Sequence, residues 1–180
     1  MALPRDFAPA KLVCGVIYGR PASYETAKGL LVEAYGPVDL ESPPFPFDLT
    51  DYYEKEMGPG LARRFMSFRE LVDPGRLAAI KLATNGLEAR VAAAAGAGPR
   101  PVNIDPGYVT AAALVMATAK DFAHRIPLDR GIYAHLELLF GRTGARCLDW
   151  TYPDMRRAGV LDFFLAVRRK GVGQRKGESP

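Results

Sequence analysis

The run KLVCGVIY at Lys11–Tyr18 limits the possible folds more than any other stretch of the chain. It is short, almost continuously apolar, and followed by Gly19, Arg20 and Pro21. Strands that are buried on both faces have this pattern, whereas half-exposed strands alternate apolar and polar residues. The run therefore predicts a central strand of a sheet.

A helix is predicted next, over Tyr24–Tyr35, with Ser23 as its N-cap. The preceding Gly19-Arg20 loop and the start of this helix could bind an anion, because free amides and the helix dipole meet there. A plain strand-to-helix connection is the alternative. The loop matches neither the P-loop pattern nor the dinucleotide-binding pattern of glycines.

The proline-rich segment Val38–Asp48 predicts an extended edge that covers the core with Phe45 and Phe47. A short helix should follow, with Asp51 as N-cap, and end at Gly58. Acidic residues in this region could bind a divalent cation through oxygen ligands, or simply cap the helix and complement its dipole. They are Asp48, Asp51, Glu54 and Glu56.

A strand over Leu61–Leu71 and a long helix starting at Asp73-Pro74 are predicted next. At about 100° per residue, Lys81, Asn85 and Glu88 lie on one stripe of that helix, beside its apolar face. Such a stripe can line a cleft. It can equally be a solvent-exposed surface held by side-chain pairs.

The segment from Arg100 to Phe140 is dense in polar and aromatic residues and contains both histidines of the chain. Its beginning predicts a strand over Pro101–Ile104 and a turn at Asp105–Gly107. Tyr108–Lys120, which is mostly Ala, Leu, Val and Met, predicts a buried helix.

A hairpin is predicted from Phe122–Leu128 and Ile132–Phe140, joined by a three-residue loop. Its register places Arg125 opposite His135, on one face with Tyr133 and Glu137, where a histidine proton could be used near neutral pH. His124 lies on the apolar face and is expected to be a core residue. A slip of one residue would exchange the two histidines.

A third strand, Ala145–Trp150, and a closing helix complete the expected fold. We predict a single α/β (α+β) domain, with a ferredoxin-like β-α-β-β-α-β start that is extended by a C-terminal antiparallel meander and the closing helix. Residues 1–10 should form an N-terminal arm, 11–167 the domain, and 168–180 a disordered basic tail. At Trp150, Tyr152 and Asp154, before the closing helix, a core edge or lid is expected more than a ligand platform.

Charge and composition narrow the class of protein. The formal charge of +4 comes from residues 168–180, so the folded body is formally neutral and nucleic acid is an unexpected partner. We expect no membrane span and no signal peptide, and hence a cytoplasmic protein. Cys14 and Cys147 lack metal-ligand spacing and should be buried thiols. The oligomeric state cannot be read from the sequence.

Five motifs together resemble the uncharacterised prokaryotic family DUF4416, over residues 11–169. They are FPFDLTDYYEKEMG (45–58), KLATNGLE (81–88), RPVNIDPGYV (100–109), KDFAHRIPLDRGIYA (120–134) and WTYPDMR (150–156). The resemblance implies no activity, but it adds Tyr52, Tyr53 and Asp154 to the positions of interest. The family pattern leads us to expect a glutamate where this chain has His135, and Glu137 on the same strand face could substitute for it.

The leading functional hypothesis is binding of, or action on, a small anionic molecule, phosphate-containing or nucleotide-like, in a cleft lined by Lys, Arg, Asp and Glu. The alternatives are a non-catalytic protein-interaction module and nucleic-acid binding through the basic tail. No cofactor can be named, although Mg²⁺ would suit the acids. Whether the protein is an enzyme stays open. The candidate catalytic residues are Glu56, Asp105, His124 and His135. The candidate ligand-binding residues are Lys81, Asn85, Glu88, Asn103, Tyr108, Lys120, Arg125, Tyr133 and Tyr152.

We also predict that at least four of six charged residues line one cleft and form ion pairs across it. The six residues are Lys81, Glu88, Asp105, Lys120, Arg125 and Glu137.

Overall fold

The computed structural model describes residues 3–96 and 99–177, and within them one antiparallel sheet carries four α-helices. The strands are β1 Ala10–Tyr18, β2 Val38–Glu41, β3 Phe45–Pro46, β4 Ala62–Val72, β5 Val102–Val109, β6 Ala113–Thr118, β7 Ile126–Asp129, β8 Ile132–Phe140 and β9 Ala145–Cys147. The helices are α1 Pro21–Tyr35, α2 Glu54–Met57, α3 Leu77–Ala95 and α4 Ala158–Arg175. The predicted mixed α+β fold is confirmed.

The strands lie in the order β2-β4-β1-β5-β6-β8-β7, with β3 beside β4 and β9 beside β8. Every residue of β1 is buried, as its apolar run predicts. Leu12, Cys14 and Val16 pack with α1 and α3 on one face, and Val13 packs with α4 on the other. The sheet therefore separates two apolar layers, and β1 contributes to both.

The predicted turn at Asp105–Gly107 and the helix predicted at Tyr108–Lys120 are both wrong. β5 runs straight through residues 105–107, paired with β1 along its whole length, and β6 follows after a tight turn. A continuous apolar run fits a buried strand as well as a buried helix, and burial within the sheet decides here.

Pro106 is tolerated in this strand because the edge of β5 that faces β6 is unpaired there. β5 and β6 pair only over Gly107–Val109 with Leu114–Met116. At this edge, Lys81 of α3 donates a hydrogen bond to the Ile104 carbonyl and Glu88 of α3 accepts one from the Ile104 N–H. Residues two apart in a strand direct their backbone groups to the same side, so the Pro106 nitrogen also faces this edge. Proline lacks an N–H, so no ladder hydrogen bond is lost.

The C-terminal hairpin forms, but its first strand is shorter than predicted. β7 covers only Ile126–Asp129, and Asp129 pairs with Ile132 across a two-residue loop. Both loop residues have positive φ, 47° at Arg130 and 76° at Gly131, as this type of loop requires. Arg125 lies outside the hairpin, so it does not pair with His135.

Three further boundaries differ from the expectations. Neither Ser23 nor Asp51 caps a helix through its side chain, and α1 instead starts at Pro21, which is suited to a first helical position. β9 ends at Cys147 rather than at Trp150. Residues 168–175, assigned to the tail, continue α4, and residues 178–180 lie outside the described part of the chain.

No helix in the described ranges has the length and apolar character to cross a membrane.

Candidate functional site

A pocket of about 690 Å³ lies where β6 separates from β5. Strand residues form its floor, the 47–56 segment and the 152–155 turn form its walls, and α3 reaches it from the free edge of β5. This volume is in the range of small-molecule sites. Nine predicted site residues line it: Glu56, Lys81, Asn85, Glu88, Asn103, Asp105, Lys120, His135 and Tyr152.

Four predicted site residues are not among those that line the pocket. Tyr108 packs against an apolar cluster between α3 and β6, and Tyr133 pairs with Thr118 and Pro127 in the sheet. His124 stacks on Trp150 with ring centroids 5.0 Å apart. Arg125 donates to the Lys120 carbonyl and to the Tyr152 hydroxyl, both at 2.7 Å.

Five of the six charged residues that we expected in one cleft line this pocket; Arg125 is the exception. Ion pairs form at its floor, beginning with Lys81, whose Nζ lies 3.5 Å from Asp105 and 3.9 Å from Glu88. Lys81 also donates to the Ile104 carbonyl at 2.7 Å. Glu88 accepts the Ile104 N–H at 2.8 Å. Lys81 and Glu88 together therefore satisfy both backbone groups of Ile104 at the edge of β5 that lacks a neighbouring strand. Lys81 and Glu88 are thus committed to the fold.

Arg63 is the central cation of the pocket, and its role was missed from the sequence. Its guanidinium donates to Asp154 at 2.8 Å and to Asp105 at 3.4 Å. Burial alone would lower the pKa of Arg63, but these two carboxylates outweigh burial and raise it. The available signal was an arginine on the same face as Phe65 and Ser67 of a predicted strand.

Asp105 is held ionised by its neighbours. Burial alone would raise its pKa, but the charges of Lys81 and Arg63, together with the Asn103 hydrogen bond at 2.9 Å, hold the pKa below its ordinary value. A carboxylate fixed in this way is a weak proton acceptor. This pKa does not favour the predicted catalytic role of Asp105 as a proton acceptor.

A second missed cation, Arg100, links the pocket wall to α3. It bonds to Glu88 and, at 3.2 Å, to Glu56, and it donates to Asn103 at 2.8 Å. Burial alone would lower its pKa, and Glu88 outweighs burial and raises it. Glu56 is thereby tied to Arg100 at the rim rather than free to act as a base.

Two phenols in the wall stay protonated over the physiological range. Burial raises the pKa of Tyr53, and the charge of Asp105 raises it further. Burial likewise raises the pKa of Tyr152. Both hydroxyls therefore serve as neutral hydrogen-bonding groups at the pocket, and both rings supply apolar surface.

His135 and Glu137, like Arg63 through its Nε, are buried pocket residues with side-chain atoms that form no hydrogen bond among the described residues. His135 and Glu137 are 2% and 0% exposed and both line the pocket. His135 Nε2 lies 2.9 Å from Glu137 Oε2, without the alignment of a hydrogen bond, and His135 Nδ1 has no partner among the described residues. Glu137 Oε1 accepts the Tyr152 N–H at 2.7 Å. Chemically, this pair can accept or donate a proton or hydrogen bond from a bound molecule.

Lys120 lies at the rim and differs from the other cations. Its Nζ sits 3.5 Å from the centroid of the Tyr52 ring and 5.3 Å from that of Tyr53. Among the described residues no carboxylate pairs with it, whereas Arg63, Lys81 and Arg100 each have such a partner. No group of three or more His, Cys, Asp or Glu in the described ranges is arranged to hold a metal ion.

Comparison with known proteins identifies a family and nothing finer. The model of a family described as a domain of unknown function, DUF4416, matches residues 8–170. No curated protein and no solved structure matches the chain.

Proposed function

We propose that this chain, which belongs to the DUF4416 family of domains of unknown function, binds a small organic anion, phosphate-containing or nucleotide-like, in the pocket between β5 and β6. One observation carries the proposal: His135 and Glu137, which have buried side-chain atoms that form no hydrogen bond among the described residues, line a cavity of about 690 Å³. Buried polar atoms without partners are costly and rare. A ligand with complementary groups would satisfy them.

The anionic character rests on Lys120. Because the other pocket cations are paired with carboxylates, Lys120 has the charge that a ligand can still neutralise. It stands over Tyr52, next to Tyr53, so a bound ring would meet aromatic surface close to the anion. Lys81 and Arg125, first expected to hold the anion, are engaged elsewhere.

Only one of the four candidate catalytic residues is retained for a role in proton transfer. Of the candidate catalytic residues, Glu56 and Asp105 are bound by arginine or lysine, and His124 lies outside the lining. His135 keeps free ring nitrogens in the pocket. We therefore propose ligand binding as the function and His135 as the residue through which any proton transfer would occur. No metal ligand is assigned.

The fold is compatible with ligand binding but does not by itself indicate that function. Read in the opposite direction, the first part of the sheet has the order β5-β1-β4-β2, interleaved with α1 and α3. This supports a ferredoxin-like start, which we propose as its description. Such an arrangement serves many functions, so the pocket and not the fold supports the assignment.

A panel of nucleotides and phosphorylated metabolites, measured by thermal shift, tests the proposal. A ligand at 100 times its Kd adds about 2.7 kcal/mol of stability. The shift should be weakened in Lys120→Ala and preserved in Lys55→Ala, an exposed lysine on α2 outside the lining residues. If no anionic compound shifts the midpoint, the proposal is wrong.

One observation favours a protein-interaction module as a second candidate. β7 is an edge strand of the sheet, and its Ile126 and Leu128 are 64% and 44% exposed. An unpaired edge with exposed apolar residues can accept a strand from a partner. Ile126→Asp should abolish such binding and leave the ligand shift unchanged.

The nucleic-acid alternative has less support. Residues 168–175 are helical, Arg168 donates to the Ala111 carbonyl at 2.7 Å, and Lys170 lies 3.5 Å from Asp39. These cations contact the body of the protein, so they are not available as a free basic arm.

A further inference from the structure

We infer that the ligand is bipolar: its anionic group lies beside Lys120, and an N–H donor at its opposite end bonds to Glu137, as a mononucleotide with an amino-bearing base would do. This inference rests on the proposed function and names the class of molecule that the same pocket takes.

Glu137 defines the donor end. Its side chain is fully buried, and one carboxylate oxygen, Oε1, is occupied by the Tyr152 N–H. The other oxygen, Oε2, lies 2.9 Å from His135 Nε2 without forming a hydrogen bond to it, and no other described residue donates to it. A carboxylate only accepts hydrogen bonds, so the group that completes Oε2 must be a donor.

Two charged side chains at opposite ends of the pocket, Glu137 and Lys120, differ from the others in their ion pairing. Arg63, Lys81 and Arg100 each pair with acids at the floor and wall. In the described part of the chain, Glu137 forms no ion pair with a lysine or arginine, and Lys120 forms none with an acid. A ligand that is anionic at one end and donates at the other would balance both.

The sheet register sets the separation of these ends. Thr118, two residues before Lys120, pairs with Tyr133. Glu137 lies four residues further along β8 than Tyr133, so its backbone lies roughly 13 Å from the Thr118–Tyr133 pair, and Lys120 continues from Thr118 in the direction away from Glu137. Free phosphate cannot span this distance. A phosphorylated molecule that carries a ring can, and the pocket walls offer Tyr53 and Phe47 to such a ring.

Matched nucleotide pairs test the inference. AMP and IMP differ in an amino group against a carbonyl on the base, as do CMP and UMP. By isothermal titration calorimetry, the wild-type protein should bind the amino member of at least one pair about tenfold more tightly, because IMP and UMP place a carbonyl oxygen where AMP and CMP have the amino group, and their ring N–H must shift along the base edge to reach Glu137 Oε2. This comparison needs no variant.

Glu137→Gln then tests the assignment to this residue. The amide keeps an oxygen for the Tyr152 N–H and places an NH₂ donor where Oε2 lies, so the preference should be lost or reversed toward the carbonyl member. Glu54→Gln, on the exposed side of α2 and outside the lining residues, should keep the wild-type preference.

The outcomes separate the two proposals. If all four nucleotides bind equally and Glu137→Gln changes nothing, while Lys120→Ala weakens binding, the inference is overturned and the proposed function stands. If none of the four and no other anion binds, both are overturned. An amino preference that is lost in Glu137→Gln and kept in Glu54→Gln supports both.

Discussion

Lys81 Nζ donates a 2.7 Å hydrogen bond to the carbonyl oxygen of Ile104, a strand residue 23 positions further along the chain. Glu88, two turns away on α3, accepts the N–H of the same residue. A helix thus takes the place of the neighbouring strand at this point of β5. The gap that this arrangement keeps open is the pocket.

Removing the Lys81 charge should therefore destabilise the fold. In Lys81→Met, Ile104 O and Asp105 lose a buried charged donor, and the free energy of unfolding should fall by about 2–3 kcal/mol, measured by urea titration with circular dichroism. Arg90→Met, on the same helix, breaks an exposed pair with Glu33 and should cost about 0.5 kcal/mol or less. Equal effects of the two variants would contradict the bridging role of Lys81.

Gly107 should tolerate no side chain. A Cβ there would collide with Met116 Sδ and lie 2.5 Å from the Val115 carbonyl oxygen, where β6 pairs with β5. Gly107→Ala should cost about 1–3 kcal/mol, because strand backbone must shift. Gly86→Ala, on α3 with open space around it, should stabilise by up to about 1 kcal/mol. A neutral Gly107→Ala would show that β5 and β6 approach less closely.

The sequence predicted the elements whose local pattern has one interpretation. The apolar run of β1 is in this group, and so is the helical start at Asp73-Pro74, where Asp73 accepts the Gly75 N–H of a 3₁₀ turn, Pro74–Arg76, that leads into α3 at Leu77. The prediction for segment 105–120 was wrong because its proline, glycine and apolar run fit a turn and a helix as well as they fit strands. Residues 105–109 are a strand because they pair with β1, some 90 residues away in the chain, and residues 113–118 are a strand because they pair with β8.

Local sequence patterns likewise predicted some residues of the candidate site and missed others. Lys81 and Glu88 were found from helical spacing, which is a local property. The partnership of Arg63 with Asp154 joins residues 91 positions apart, and no spacing rule connects them. The expected separation of the two histidines onto opposite sheet faces is wrong: His124 lies outside β7, is half-buried rather than a core residue, and its ring centroid lies 4.7 Å from that of His135. The bulge between β7 and β8 and the early end of β7 also leave Arg125 outside the strand.

The buried pair of Lys11 and Asp39 predicts a particular acid response. Burial alone would raise the pKa of Asp39, but its hydrogen bonds with Lys11 and Ser67 outweigh burial and lower it. The native state then binds fewer protons than the unfolded chain, so this contribution to stability is present above about pH 4 and is lost as the pH falls through the lower native pKa.

Asp39→Asn removes that contribution. It should cost about 3 kcal/mol at pH 7, because it leaves the Lys11 ammonium buried without an anionic partner. The difference from wild type should shrink as urea titrations are moved from pH 5 toward pH 2.5. Asp48→Asn, in an exposed pair with Arg157, should show almost no difference at any pH. A constant gap for Asp39→Asn across this range would contradict the account.

His124 should titrate below its ordinary pKa of 6.5. Burial lowers its pKa, and the neighbouring His135 and Arg125 lower it further. As the pH falls from about 6.5 through this lower value, the unfolded chain binds more protons, so the free energy of unfolding should decrease. Histidine side-chain NMR measures the pKa directly, with His124→Gln for assignment. Arg125→Gln should raise the pKa; a wild-type value at or above 6.5 would contradict the packing described.

Histidine side-chain NMR during ligand titration tests the central claim most directly, because the chain has only two histidines. In ¹⁵N-labelled protein at constant pH, the tightest-binding nucleotide of the panel should shift the ring nitrogen signals of His135 in step with saturation. In Lys120→Ala the same shift should appear only at higher ligand concentration. If the ligand stabilises the protein while the His135 signals stay fixed, it binds elsewhere, and the pocket between β5 and β6 is not the functional site.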